Sequence, residues 1–319
     1  MKTWKPGSAN TAERHNGYRQ VSIMLEISPF EPSIAEDIAH FYNRATSLTP
    51  FCYPVTSDIL DEAVFSKSDF EPEGLFVAVE RGEVKGFIHA GCLETAPDDP
   101  KKGSIFLFIA QERDVCLALL DKAVHSLKAR GAQVCHTMSN DSESNRYYSG
   151  VHMGYEVALW QGFYQVVAAF ERHPDFDLTR QRFFMSLSMA HQPDVVEPRM
   201  EVRFAVEDKG RTGSFYSTAE VCAVADGERL GACTFHYLDR LSAHLGTGIG
   251  QIQIGVDERY RRKGIASALL SRAHRELYSR GARKVILTTN YELYPAMKLY
   301  EKTGYSREPV NAPVYTAHF

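Results

Sequence analysis

Apolar positions along this chain follow two periods, and the pattern occurs twice. Val115, Leu119, Leu120, Ala123 and Leu127 lie at helical spacing, and so do Ile265, Leu269, Leu270, Ala273 and Leu277, 150 residues further on. Each set lays one apolar stripe along a predicted helix. Both helices close in similar words, Ala129-Arg130-Gly131-Ala132 and Ser279-Arg280-Gly281-Ala282, where glycine supplies the left-handed stop. A buried strand is predicted after each, from Val134 and over Val285-Ile286-Leu287. A further short helix then closes on Met153-Gly154-Tyr155 or on Thr303-Gly304-Tyr305.

A second repeated block precedes these. Val79 to Gly86 aligns with Val224 to Gly231, 145 residues apart, matching Val, Gly, Glu and Gly. Alternating apolar flanks around a glycine turn predict an antiparallel hairpin. At the same offset, Ser104 to Ile109 aligns with Ile249 to Ile254 as the next strand. The two offsets differ by five residues, so the halves diverge between that strand and the first repeated helix. Such self-similarity predicts one architecture built twice.

Between and before the repeats the signals are weaker. Ser33, followed by Glu36, reads as a capping box opening the first lobe's first helix. Glu156 to Phe170 reads as an apolar, β-rich tail, and Glu171 to Pro198 as a connection with a helical pattern over Arg182 to Met189. The expected division is a loosely attached or disordered N-terminus at 1–17, a first lobe at 18–170, an inter-lobe connection at 171–200 and a second lobe at 201–319.

Composition sets limits on this picture. A chain of 319 residues suits two domains, and 44% apolar with 24% charged residues lets each bury a core. The formal charge of -4 argues against a nucleic-acid partner. No apolar run reaches membrane-span length, and Met1 to Asn16 has no signal core; a cytoplasmic protein with no membrane partner is expected, as monomer or homodimer. Six scattered cysteines include no C-x-x-C pair, so free thiols and no metal are expected.

The chemistry concentrates in one turn. Where the second half's third strand passes into its helix stands Asp257 to Lys263, then Gly264. Backbone N–H groups in such a turn, with the first turn of a helix, cradle an anion. Gly264 allows close approach, Ala266 leaves room beside it, and Arg259, Arg261, Arg262 and Lys263 bring charge for phosphate oxygens. Alone, these residues read more readily as a solvated basic turn.

Their context decides. An R-x-x-G-x-A string follows Gln-Ile-Gln-Ile-Gly-Val and precedes an amphipathic helix, with Pro295-Ala296-Met297-Lys298-Leu299-Tyr300-Glu301-Lys302-Thr303-Gly304-Tyr305 downstream. Over Glu220 to Tyr305 this resembles the GNAT superfamily of N-acetyltransferases. The resemblance implies an α/β (α+β) fold of two tandem lobes, each a mixed, mostly antiparallel twisted sheet flanked by helices. It implies an acetyl-CoA site formed by Ile254, Gly255, Val256, Arg261, Arg262, Lys263, Gly264, Ile265, Ala266, Ser267, Asn290 and Tyr300. Ala266 replaces the family's frequent Gly. Leu293 stands where the family often has Asn, a contact that Asn290, one turn earlier, would take.

The implied reaction moves an acetyl group from acetyl-CoA to an amine by direct attack in a ternary complex. By resemblance a backbone N–H near Val256 stabilises the oxyanion, with Gly255 easing the bulge that splays the strands. Tyr300, protonated at neutral pH, returns a proton to the leaving thiolate; its plain alternative is an aromatic anchor of the last helix. A base is also expected, because a lysine-like amine is almost wholly protonated at pH 7. His236, Asp239, His244 and Glu220 are the candidates, His236 being placed first, and Gln251 with Gln253 on one strand face would orient water or simply face solvent.

The first half carries Ala110-Gln111-Glu112-Arg113-Asp114 where the loop belongs and Gly150 where Tyr300 belongs. Its two carboxylates repel a pyrophosphate, so the first lobe reads as degenerate. The function expected is an acetyl-CoA-dependent N-acetyltransferase acting on a small molecule's primary amine or an exposed protein amine. The alternative is a non-catalytic acyl-CoA sensor or scaffold.

Overall fold

The computed structural model describes residues 25–94, 96, 99–137 and 147–319; the expected loose N-terminus at 1–17 lies outside them. Its first half runs β1 (Glu26–Pro29), α1 (Ala35–Thr46), α2 (Ser57–Leu60), β2 (Leu75–Glu80), β3 (Glu83–Cys92), β4 (Lys102–Ala110), α3 (Arg113–Ala129), β5 (Val134–Thr137), α4 (Tyr164–Arg172) and β6 (Phe176–Ser188). The second runs β7 (Arg203–Thr212), β8 (Tyr216–Ala225), β9 (Glu228–Tyr237), α5 (Asp239–Leu245), β10 (Gly248–Val256), α6 (Ile265–Ser279), β11 (Ala282–Asn290), α7 (Tyr294–Lys302) and β12 (Ser306–His318). Both repeated hairpins are present. Arg81-Gly82 and Asp226-Gly227 all have positive φ, the two-residue turn whose twist suits paired strands.

Among the described residues twelve strands join one sheet, ordered β1-β2-β3-β4-β5-β12-β6-β11-β10-β9-β8-β7. Among the described residues only β4 with β5 and β10 with β11 run parallel, each pair joined by one of the repeated helices. The centre of this order exchanges strands: β12, last in the chain, pairs with β5 of the first half, while β6 pairs with β11 of the second. The two exchanged strands pair with each other. Two cores result, and β6 serves both, with Phe184 in the first and Phe183 and Met185 in the second. A strand buried on both faces shows no period-2 alternation, which is why the sequence suggested a helix at 182–189.

Three further expectations are corrected. The segment after Glu156 is not β-rich; Val166, Val167, Ala169 and Phe170 bury one face of α4, and a short apolar run does not separate helix from strand. Ser33 lies in a short 3-10 turn and caps nothing; α1 has no side-chain cap, and Glu36 is hydrogen-bonded by Ser57 instead. Residues 147–155 form turns and bends, not the expected helix closing on Tyr155.

The second core fixes the site. Leu269, Leu270, Ala273 and Leu277 of α6 are fully buried against β8, β9 and β10, each leucine contributing about 1.5–3 kcal/mol. On the opposite sheet face no helix intervenes between β7 and β8, and first-half residues 150–156 pack there instead. A Cβ on Gly150 would meet Phe215, and one on Gly154, at φ +88°, would lie 2.4 Å from Gln251 Oε1. Only glycine lets the chain come this close.

Candidate functional site

Strands β10 and β11 pair from Gly248↔Ala282 to Gln251↔Ile286 and then part, though β10 continues to Val256 and β11 to Asn290. The result is a V that opens toward the arginine turn. Asp257 N–H donates to Leu230 O at 2.9 Å, and Val256 is level with Gly231 on β9. Antiparallel strands alternate the direction of their N–H groups, so those of Ile254 and Val256 point away from β9 into the V. A Cβ on Gly255 would meet nothing within 4 Å, so its glycine leaves open space and is not demanded by contact.

The turn beyond has the geometry of an anion cradle. Arg262 (φ +67°) and Gly264 (φ +86°) are left-handed on either side of Lys263, and α6 begins at Ile265 with Gly264 as its cap. The first N–H groups of the helix, including those of Ile265, Ala266 and Ser267, have no intrahelical partner. Alternating handedness aims successive N–H groups at one point. The outer side of Gly264 is closed by Pro198, 3.3 Å from the would-be Cβ, and Arg199 N–H donates to Lys263 O at 2.9 Å.

The basic residues divide by partner. Arg259 is committed to structure, bonded to Asp257 and to Glu228 at 2.6 Å, so the expectation that it serves phosphate is corrected. Arg261 donates to Val256 O at 3.3 Å and to Glu258 at 2.8 Å. Lys263 lies over the Tyr260 ring at 5.0 Å. Arg262 is exposed and bonds no acidic group among the described residues. In the first half β4 meets α3 across only Gln111 and Glu112, too short a link for such a turn.

Tyr300 lies on α7 within the second core, its ring 5.8 Å from that of Tyr305. Burial, with Cys233 and Glu156 close enough to act electrostatically, pushes its phenol well above the ordinary tyrosine value. It stays protonated at neutral pH, as a proton donor must. Asn290 accepts from Leu293 N–H at 3.0 Å, capping the turn before α7.

On the sheet face opposite α6 the expected water-orienting pair is otherwise employed. Gln251 is fully buried and accepts from Tyr155 N–H at 2.8 Å. Gln253 donates to Glu156 Oε1 at 2.7 Å. His236 is 2% exposed with Tyr155 stacked on its ring, and its Nδ1 lies 2.9 Å from Thr218 Oγ1. Burial pulls its pKa down to about 3. It is neutral but covered, so the geometry does not support it as the base. Asp239 pairs with Arg211, and exposed His244 meets the edge of Tyr53.

Glu220 is the candidate that faces open space. A cavity of about 380 Å³ beside the V is lined by Glu220, Arg229, Thr234, Gln253, Gly255 and Asp257 among others. Burial acts to raise the Glu220 carboxyl, but hydrogen bonds from Cys222 and Thr234 and the Arg229 charge outweigh it and hold the group below the ordinary carboxylate value. The sequence offered Glu220 without distinguishing it. Glu156 it missed altogether, since nothing in the repeat marks a first-half residue as part of the second half's site.

The comparisons agree with this geometry. Residues 182–305 match the family model described as the acetyltransferase (GNAT) family. No curated protein matches the chain. Among solved structures, a GCN5-related N-acetyltransferase from Sphaerobacter thermophilus is similar at 14% identity and TM-score 0.62, over 92% of this chain and 95% of that one. The tandem GNAT protein from the clavulanic acid biosynthesis pathway is similar at 12% identity and TM-score 0.63, over 92% and 98%. A GCN5-related glucosamine N-acetyltransferase region of a fungal multi-domain GH3 β-N-acetylglucosaminidase gives 12% and 0.67, over 92% of this chain but 38% of that one. At these identities the structures speak for the fold alone. Residues 182–305, which hold the loop and the diverging strands, match the acetyltransferase (GNAT) family, and the chain around them has a GNAT fold.

Proposed function

We propose that the protein transfers an acetyl group from acetyl-CoA to a primary amine, of a small molecule or an exposed protein site, by direct attack in a ternary complex. The observation that carries this is the V between β10 and β11 opening onto the left-handed turn at Arg262 and Gly264. The residues fit the acyl donor. The N–H groups of Ile265, Ala266 and Ser267, with Arg261, Arg262 and Lys263, would hold the pyrophosphate, and Ile254, Gly255, Val256 and Asn290 would line the pantetheine path.

Within that site Val256 N–H would polarise the thioester carbonyl, and Tyr300 would protonate the departing thiolate. Glu220 replaces His236 as the proposed base, drawing a proton from the amine directly or through water. We keep the division 18–170, 171–200 and 201–319, with the middle segment lending β6 to the second lobe. The first lobe, lacking the turn and the tyrosine, is proposed to bind no acyl-CoA. Calorimetry with acetyl-CoA and thiol release across an amine panel test the reading: an acyl-CoA sensor binds without acceptor-dependent release, and a scaffold does neither.

A further inference from the structure

Continuing the β10–β11 register past its last pair sets Gln253 level with Thr288, on the same face. The strands have parted there, and the carboxylate of Glu156 stands between them. One oxygen accepts from Gln253 Nε2 at 2.7 Å, the other from Thr288 and from Arg182 on β6, the latter at 2.8 Å. Glu156 is 2% exposed and Arg182 5%. A residue of the first half thus sits at the vertex of the second half's V, tied to both strands of the V and to β6 beside them.

This contact settles the direction of an amide. A carboxylate engaged by three donors only accepts, so Gln253 must turn its NH₂ toward Glu156 and its carbonyl oxygen the other way. Gln253 also lines the 380 Å³ cavity. The wall it shares with Glu220 therefore presents acceptor oxygens to an amine's N–H groups. Tyr155 secures the same segment through Gln251 and His236.

We infer that Glu156, supplied by the lobe without a cofactor turn, is a positioning residue for the acceptor. It holds Gln253 so that its carbonyl faces the incoming amine. The first lobe is then a working part of the acceptor site. This rests on the acyl-transfer reading above.

The test is E156Q. Its carbonyl stays with Arg182, its NH₂ faces Gln253, and two NH₂ groups do not bond, so Gln253 turns over and shows a donor to the cavity. The acceptor KM should rise about ten- to hundredfold, with the acetyl-CoA Kd unchanged. E156Q/Q253E, which moves the carboxylate across the contact, should recover much of the acceptor KM. If E156Q alone does not fold, the side-chain exchange measurement on the unmodified protein, given below, still decides. An unchanged acceptor KM, or a loss that E156Q/Q253E does not reverse, overturns the inference. A readout independent of turnover separates it from the acyl-transfer reading: in NMR one Gln253 side-chain N–H should resist solvent exchange in the unmodified protein and lose that protection in E156Q. Two freely exchanging protons in the unmodified protein would overturn it whatever the activity.

Discussion

The ring of Tyr155 lies flat on that of His236, centroids 3.5 Å apart and planes inclined by 11°. Tyr155 comes from the first half and His236 from β9 of the second, so the histidine that sequence favoured as base is roofed by the other lobe. Glu220 remains open to the cavity. His236→Phe should therefore keep kcat within a few-fold, while Glu220→Gln lowers it by about 10²- to 10⁴-fold. Steady-state rates with a saturating amine decide; the reverse ranking restores His236.

Gly264 has φ +86° and Pro198 3.3 Å from its would-be Cβ. A side chain there is strained in conformation and crowded in space, and a glutamate adds negative charge at the anion cradle. Gly264→Glu should abolish acetyl-CoA binding in calorimetry without unfolding the protein. Unchanged affinity contradicts the loop assignment.

Tyr300 is largely buried, and its phenol is held protonated. Tyr300→Phe should lower kcat while the acetyl-CoA Kd stays near that of the unmodified protein, since the ring keeps its packing. Equal loss of binding and turnover would mark Tyr300 as an anchor of α7.

Four histidines, His89, His152, His236 and His274, are buried with pKa values pulled down by desolvation to about 3, 3, 3 and 4. The unfolded chain protonates them near 6.5. Below that pH the unfolded state binds more protons, so stability is fully present above 6.5 and falls as pH drops toward 3 or 4. Each should contribute about 1–2 kcal/mol of destabilisation by pH 5. Melting temperatures at pH 7.5 and 5 check this, and equal values would contradict the burial.

The exchange of β6 and β12 binds the halves into one folding unit. Phe183 of β6 is 1% exposed in the second core, and Phe183→Ala should cost about 3–5 kcal/mol. Expressed alone, residues 201–319 lack β6 and should not fold, whereas co-expression with 25–200 should restore a soluble complex. A stable isolated 201–319 fragment refutes the coupling.

What was legible in the sequence follows from local physics. The hairpins at Arg81-Gly82 and Asp226-Gly227, the stripes of α3 and α6, and the turn before Gly264 each declare themselves within a few residues. What was not legible depends on distant chain. β6 has no alternation because two cores bury both its faces, and α4 resembles a strand until Phe108 and Tyr315 are seen against Phe170. Glu156 carries no local signal; its meaning comes from Gln253, Thr288 and Arg182, which only the folded chain assembles.

The most direct test of the whole account is thiol release from acetyl-CoA by the purified full-length chain across a broad panel of primary amines. Release should depend on at least one amine, saturate with it, and disappear in Gly264→Glu. Tight acetyl-CoA binding with no amine-dependent release anywhere in the panel would contradict it and leave a binding protein in place of an enzyme.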